Sequence, residues 1–177
     1  MNTTFDVIVV GGGHAGIEAA HAAARMGAKT LLLTLDEHKV ASMPCNPSVG
    51  GLGKGHIVFE VSALGGLMPK LCSKTYLQAR MLNTSKGPAV QGLRLQIDKY
   101  AYNKLAVEML QNTPNLTIIS AMTMAVLWEE GESALSPLGG ALRQAQGERL
   151  GATRRITGVK TADGTVYQAP AVVVTTG

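Results

Sequence analysis

Apolar and polar positions along the chain follow two periods. Phe5-Asp6-Val7-Ile8-Val9-Val10 is a short β-branched run, Gly11-Gly12-Gly13-His14-Ala15-Gly16 breaks it, and Ile17 to Met26 continues alanine-rich without Gly or Pro. That order predicts strand, tight turn and helix. Lys29 to Thr34 follows as a second apolar strand, so the first 34 residues predict a βαβ unit whose parallel strands need the crossover helix between them. Ile57 to Leu64 and Lys74 to Leu82 have helix-like apolar spacing, and Ile97 to Leu110 is the clearest amphipathic helix, ended by Pro114-Asn115. Leu116 to Ser120 is expected to extend the parallel sheet. Further strands are expected at Thr123 to Trp128, Ile156 to Thr161, Thr165 to Gln168 and Ala171 to Thr175, with Ala162-Asp163-Gly164-Thr165 as a hairpin turn. The class expected is α/β, a parallel sheet with crossover helices carrying an antiparallel β-meander.

The first break in the pattern carries chemistry. Gly11-x-Gly13-x-x-Gly16 follows a strand and opens a helix, the context in which this spacing binds a dinucleotide. Gly11 allows the turn off the strand, Gly13 lets a pyrophosphate approach the backbone, and Gly16 lets the helix pack close to the sheet. The N–H groups of Gly12, Gly13, His14 and Ala15 then face the phosphates with the positive end of the helix dipole. Ala20 and Gly27 continue the small-residue spacing, which favours the flavoprotein form of the motif. An acidic residue usually ends the second strand to hold the ribose. Here Thr34 stands at that place and Asp36 lies two residues on, so either Asp36 substitutes, or it begins a polar turn and Thr34 or backbone groups hold the sugar.

A second glycine-rich segment, residues 43–56, reads as a loop containing Cys45 between Pro44 and Pro47, four glycines and Lys54. It lacks the Gly-Lys-[Ser/Thr] order of a Walker loop. Cys45, close in sequence to Lys54 and a helix start, is either an activated thiol or an inert one. Residues 133–153 lack alternation and separate two strands that should be hairpin partners, so they read as an inserted surface loop, which costs little in closure entropy. The four histidines show no metal-ligand spacing, and no metal is expected.

Composition adds limits. Of 177 residues 46% are hydrophobic, which excludes a globally disordered chain, and one domain spanning residues 1–177 is the natural reading. No run approaches the ~18 apolar residues of a bilayer span, and Cys45 and Cys72 read as free thiols in a reducing compartment, so a cytoplasmic location is expected. Residues 50–104 hold eight of the sixteen Lys and Arg but two of the twelve acids. That excess suits either a polyanion or a solvated basic face.

Four ordered motifs carry a resemblance. Gly-Gly-Gly-His-Ala-Gly-x-Glu-Ala-Ala from Gly11, Cys45-Asn46-Pro47 with Gly50-Gly51-x-Gly53-Lys54-Gly55-His56, Ala63-Leu64-Gly65-Gly66-Leu67-Met68, and Leu82-Asn83-x-Ser85-Lys86-Gly87-Pro88-Ala89-Val90 closely resemble the MnmG (GidA) family. Members are the FAD-binding large subunit of the tRNA uridine 5-carboxymethylaminomethyl modification complex. The resemblance implies a Rossmann-type, glutathione-reductase-like FAD-binding domain, with Val172 to Gly177 as the strand returning under the flavin. It further implies tRNA as substrate, NADH and methylenetetrahydrofolate as co-substrates, a GTPase subunit as partner, and a homodimer. By resemblance Thr123 touches the adenine side through its backbone and Gly177 belongs to the cofactor site. Cys45 matches a cysteine proposed to add to the uracil ring or move a proton, and Lys54, Lys86 and Arg94 match positions that could contact flavin, folate or tRNA phosphate. Family members are several times longer, so the chain reads as an N-terminal part, expected not to modify tRNA or oxidise NADH alone. Other readings are a generic flavin reductase, a folate-dependent tRNA uridine methyltransferase, or a non-catalytic nucleotide-binding remnant.

Overall fold

The computed structural model describes residues 3–44, 46–131 and 153–176. In chain order the elements are β1 (Val7–Val10), α1 (His14–Arg25), β2 (Thr30–Thr34), β3 (Ser48–Gly50), α2 (Lys54–Ala63), α3 (Leu67–Thr75), β4 (Tyr76–Leu82), β5 (Gly92–Ile97), α4 (Lys99–Gln111), β6 (Leu116–Ser120), β7 (Thr123–Gly131), β8 (Thr153–Thr161), β9 (Val166–Gln168) and β10 (Ala171–Val174).

β1, α1 and β2 form the expected βαβ unit, with Val7 opposite Thr30 and Val10 opposite Leu33. β6 joins β2 and β10 joins β1, both parallel, giving a central sheet of order β10-β1-β2-β6. Its strands are apolar on both faces because both are covered. Val9 and Leu32 face the helices, together with Ile17, Ala20, Leu71, Tyr102 and Leu110. Ile8, Val10, Leu31 and Leu33 face the opposite way, into a core closed by Phe5, Val159 and Tyr167. The antiparallel meander β7-β8-β9 supplies that second cover. The fold is therefore helices, parallel sheet and meander in three layers, as the residue pattern and the family resemblance led one to expect.

Small residues set the helix-to-sheet distance. Gly16, Ala20 and Ala24 recur every four residues on the buried stripe of α1. In α4 the buried stripe is Tyr102, Ala106 and Leu110. The helix expected from Ile97 begins at Lys99 instead, because the Asp98 carboxylate accepts from the N–H groups of Tyr100 (3.0 Å) and Ala101 (3.1 Å) and Ile97 closes strand β5. A cap of this kind contributes about 1 kcal/mol.

Two expectations are corrected. Lys74 to Leu82 is not helical: α3 stops at Thr75 and β4 runs from Tyr76. Leu77 and Met81 are four apart, as in a helix, but Leu77, Ala79 and Met81 also alternate with Gln78 and Arg80. Both periods fit so short a run, and pairing with β5 decides. Residues 43–56 are not all loop, since β3 pairs with β5 and α2 starts at Lys54 rather than Ile57. Gly50, at φ +100°, lets the strand lie against the Leu93 carbonyl where a Cβ would overlap it. The outcome is a second antiparallel sheet of order β3-β5-β4. The insertion expected at 133–153 lies outside the described residues except Thr153, which opens β8 opposite Gly131.

Candidate functional site

At the carboxyl ends of β1, β2 and β10 lies a crevice of about 470 Å³. β1 connects through α1 to β2 on one side, while β10 flanks it on the other. This reversal of strand order is where open α/β sheets bind ligands.

The glycine turn forms one wall. Gly11 donates its N–H to Leu33 O (2.8 Å) and adopts φ +109°, and a Cβ there would overlap the carbonyl oxygen of Thr175. A Cβ on Gly16 would overlap the Gly11 carbonyl oxygen and stand 2.7 Å from Thr175 Oγ1, and one on Gly12 would crowd Thr34 Oγ1 at 2.6 Å. Gly13 differs, because a Cβ there meets nothing within 4 Å. It caps α1 without a side-chain hydrogen bond, and the first turn holds no acid, so the leading N–H groups of the helix keep their capacity for an anion.

Thr175, which sequence reasoning passed over, pins this turn. Its hydroxyl lies 2.9 Å from Val10 O and 3.1 Å from Gly11 O. Its position at the end of the last apolar run is the signal that could have found it. The loop after β2 is tied down as well: Ala41 N–H donates to Gly12 O (2.8 Å), and Asn103 Nδ2 of α4 donates to Val40 O (2.8 Å).

Thr34 and Thr123 line the crevice with the glycines. The hydroxyl of Thr123 is buried and has no hydrogen-bond partner, a state that costs free energy unless a ligand or water completes it. Asp36 does not line the crevice. Its carboxylate accepts from His38 N–H (2.9 Å) and pairs with Lys39 Nζ (3.2 Å), contacts that hold its pKa below the ordinary value and make it a turn residue.

The ring of His14 turns away from the crevice toward Tyr102, centroids 5.8 Å apart, with Nε2 buried and unpartnered. Burial first, then the nearby charge of Lys54, lowers its pKa, so the imidazole is neutral near pH 7. Ala15 is exposed on the first turn. Lys54 starts α2 outside the crevice. Lys86 lies in the β4–β5 connection and Arg94 on β5, its Nη2 donating to Ser48 Oγ (2.9 Å). The structure thus gathers Gly11, Gly12, Gly13, Thr34 and Thr123 in one crevice, with Gly16 packed behind the turn, and leaves Asp36, the His14 ring, Lys54, Lys86 and Arg94 off its walls. Cys45 and Gly177 lie outside the described residues; their neighbours Pro44 and Thr176 line the crevice. Cys72 is buried, and loss of solvation pushes its thiol up to about 11, so it is not a nucleophile at neutral pH.

A family model described as Glucose inhibited division protein A matches residues 6–177. The chain belongs to this family. The tRNA uridine 5-carboxymethylaminomethyl modification enzyme MnmG of Chloroflexus aurantiacus is 49% identical over 180 residues, covering 100% of this chain and 24% of the relative. The enzyme of the same name from Lactobacillus delbrueckii subsp. bulgaricus is also 49% identical, over 177 residues. Among solved structures, Aquifex aeolicus GidA superposes with a TM-score of 0.81 at 41% identity, covering 99% of this chain and 25% of that one. A GidA-related protein from Thermus thermophilus, at TM-score 0.57 and 20% identity, shares the fold. The chain spans about a quarter of the length of the GidA relatives it matches. No helix among the described residues is long and apolar enough to cross a membrane, and no group of metal-ligating side chains is gathered there.

Proposed function

We propose that this chain is the FAD-binding part of an enzyme that modifies the wobble uridine of tRNA at C5 with a carboxymethylaminomethyl group. The observation that carries the reading is the crevice. Gly13, where a Cβ would meet open space, leads into uncapped helix N–H groups, and Thr123, whose buried hydroxyl has no protein partner, lines the same space. A pyrophosphate fits the first and a nucleoside the second. Gly11, Gly12, Gly13 and the N–H groups of His14 and Ala15 would hold the phosphates, Gly16 would keep α1 close, Thr34, which lines the crevice, would take the ribose, and Thr123 with Gly177 would bound the rest. When bound, FAD supplies hydride-transfer chemistry. The protein's share is to bind and orient it in a crevice with one closed wall.

The names of the relatives support tRNA as substrate. NADH and methylenetetrahydrofolate as co-substrates, a GTPase partner, a homodimer and a cytoplasmic location complete the proposal. Cys45, whose neighbour Pro44 lines the crevice, is the proposed thiol that adds to the uracil ring or moves a proton. The chain purified without added cofactor, then denatured, should release FAD in close to one-to-one amount. A colourless protein that also fails to take up added FAD refutes the reading.

A further inference from the structure

The sheet β3-β5-β4 has two unlike faces. Val49, Leu93 and Leu95 point toward α2 and α3, where they line an apolar cavity with Val58 and Cys72. The other face presents Gln78, Arg80 and Leu82 from β4 and Arg94 and Gln96 from β5, around a hollow of about 290 Å³. In the register Arg80 stands directly opposite Arg94, and Gln78 opposite Gln96. Like charges at directly opposed positions of an antiparallel pair destabilise it. Neither guanidinium has an acidic partner among the described residues, whose ion pairs are His38–Glu37 and Lys39–Asp36. Arg94 is instead aimed by a neutral group, Ser48 Oγ at 2.9 Å. A sheet that keeps two opposed arginines without a counter-charge has a reason for them outside itself.

We infer that this face is an anion site that takes a backbone phosphate of an RNA strand. Two guanidinium forks offer parallel N–H donors to the two free oxygens of a phosphodiester. The amides of Gln78 and Gln96 beside them can donate to an oxygen or accept from a ribose hydroxyl. No aromatic residue lines the hollow for base stacking, so the contact positions the strand and does not read its sequence. The surrounding segment, residues 50–104, holds the chain's positive excess, and Lys86 lies in the loop that joins these two strands. The inference rests on the tRNA substrate proposed above, and adds a place for it away from the nucleotide crevice.

The test is equilibrium binding of an anticodon stem-loop RNA against salt concentration, for the wild type, Arg80→Gln, Arg94→Gln and the double variant, with Lys104→Gln on α4 as a control of equal charge change. Each arginine variant should bind about ten-fold more weakly at low salt, lower the log–log salt slope by about one, and do so equally for RNAs of unrelated sequence. Lys104→Gln should leave the slope closer to wild type. The thermal midpoint of Arg80→Gln should equal or exceed that of the wild type, because a like-charge pair is relieved. Wild-type binding untouched by the double substitution overturns this inference and leaves the proposed substrate standing. A wild type that binds no RNA overturns the proposed substrate and the inference with it. Inorganic-phosphate binding is measured on the same proteins, and its loss in the double variant with RNA binding intact overturns the assignment to RNA.

Discussion

Gly13→Val and Gly16→Ala should fail in opposite ways, although both alter the same fingerprint. At Gly16 the added methyl overlaps the Gly11 carbonyl oxygen and crowds Thr175 Oγ1 at 2.7 Å, so the contact is with backbone that cannot swing aside. Overpacking of this kind costs ~1–3 kcal/mol, and contact with rigid backbone places it near the top. Replacing a helical glycine by alanine returns ~1 kcal/mol. The net is ~2 kcal/mol of destabilisation, which for a chain of this size lowers the melting temperature by roughly 4–8 °C. At Gly13 an added Cβ meets no protein atom within 4 Å, so the loss of stability should stay near the ~1 kcal/mol that a poor N-cap residue costs. The side chain instead fills the space a pyrophosphate would occupy, and flavin retention should be lost. Thermal unfolding of the flavin-free proteins and the flavin content of the purified ones separate the two effects. An unchanged melting temperature for Gly16→Ala, or wild-type flavin content in Gly13→Val, would refute this reasoning.

His14 and His21 both have pKa values lowered chiefly by burial, so the unfolded chain takes up protons that the folded chain refuses as pH falls below the ordinary histidine value of about 6.5. Stability should therefore decline from pH 7 toward pH 5, and His14→Gln should flatten that decline in urea unfolding curves. Glu18 of α1 accepts the N–H groups of Leu67 (2.9 Å) and Met68 at the start of α3, so Glu18→Ala should lose about 1–2 kcal/mol by chemical denaturation, and Glu18→Gln less. Gly131 and Thr153 are directly paired, so replacing residues 132–152 by an Asn-Gly turn should leave the melting temperature and flavin binding unchanged; a collapse in soluble yield would contradict this.

The parallel sheet and the nucleotide turn were legible in the sequence because each rests on local chemistry. A β-branched run covered on both faces reads as continuous apolar residues, and Gly16 is forced by the Gly11 carbonyl five residues before it, although the Thr175 carbonyl that forces Gly11 is distant in sequence. The sheet β3-β5-β4 was not legible. Its strands are short, β3 passes through Gly50 at φ +100°, and β4 satisfies two periods at once, so only pairing between distant segments selects it. The crevice was half legible for the same reason. Thr34 and Thr123 stand at strand ends that sequence can find, whereas Thr175 acts on Val10 and Gly11 across more than 160 residues. Asp36 shows the opposite limit, since an acid in the right place along the chain is drawn into capping its own turn.

The most direct test of the central claim is a crystal structure of this chain with FAD bound. The pyrophosphate should rest on the N–H groups of Gly12, Gly13 and the first turn of α1, with the adenosine side running along Thr34 and Thr123. FAD found elsewhere on the molecule, or a fully formed crevice that holds none at saturating cofactor, would contradict it.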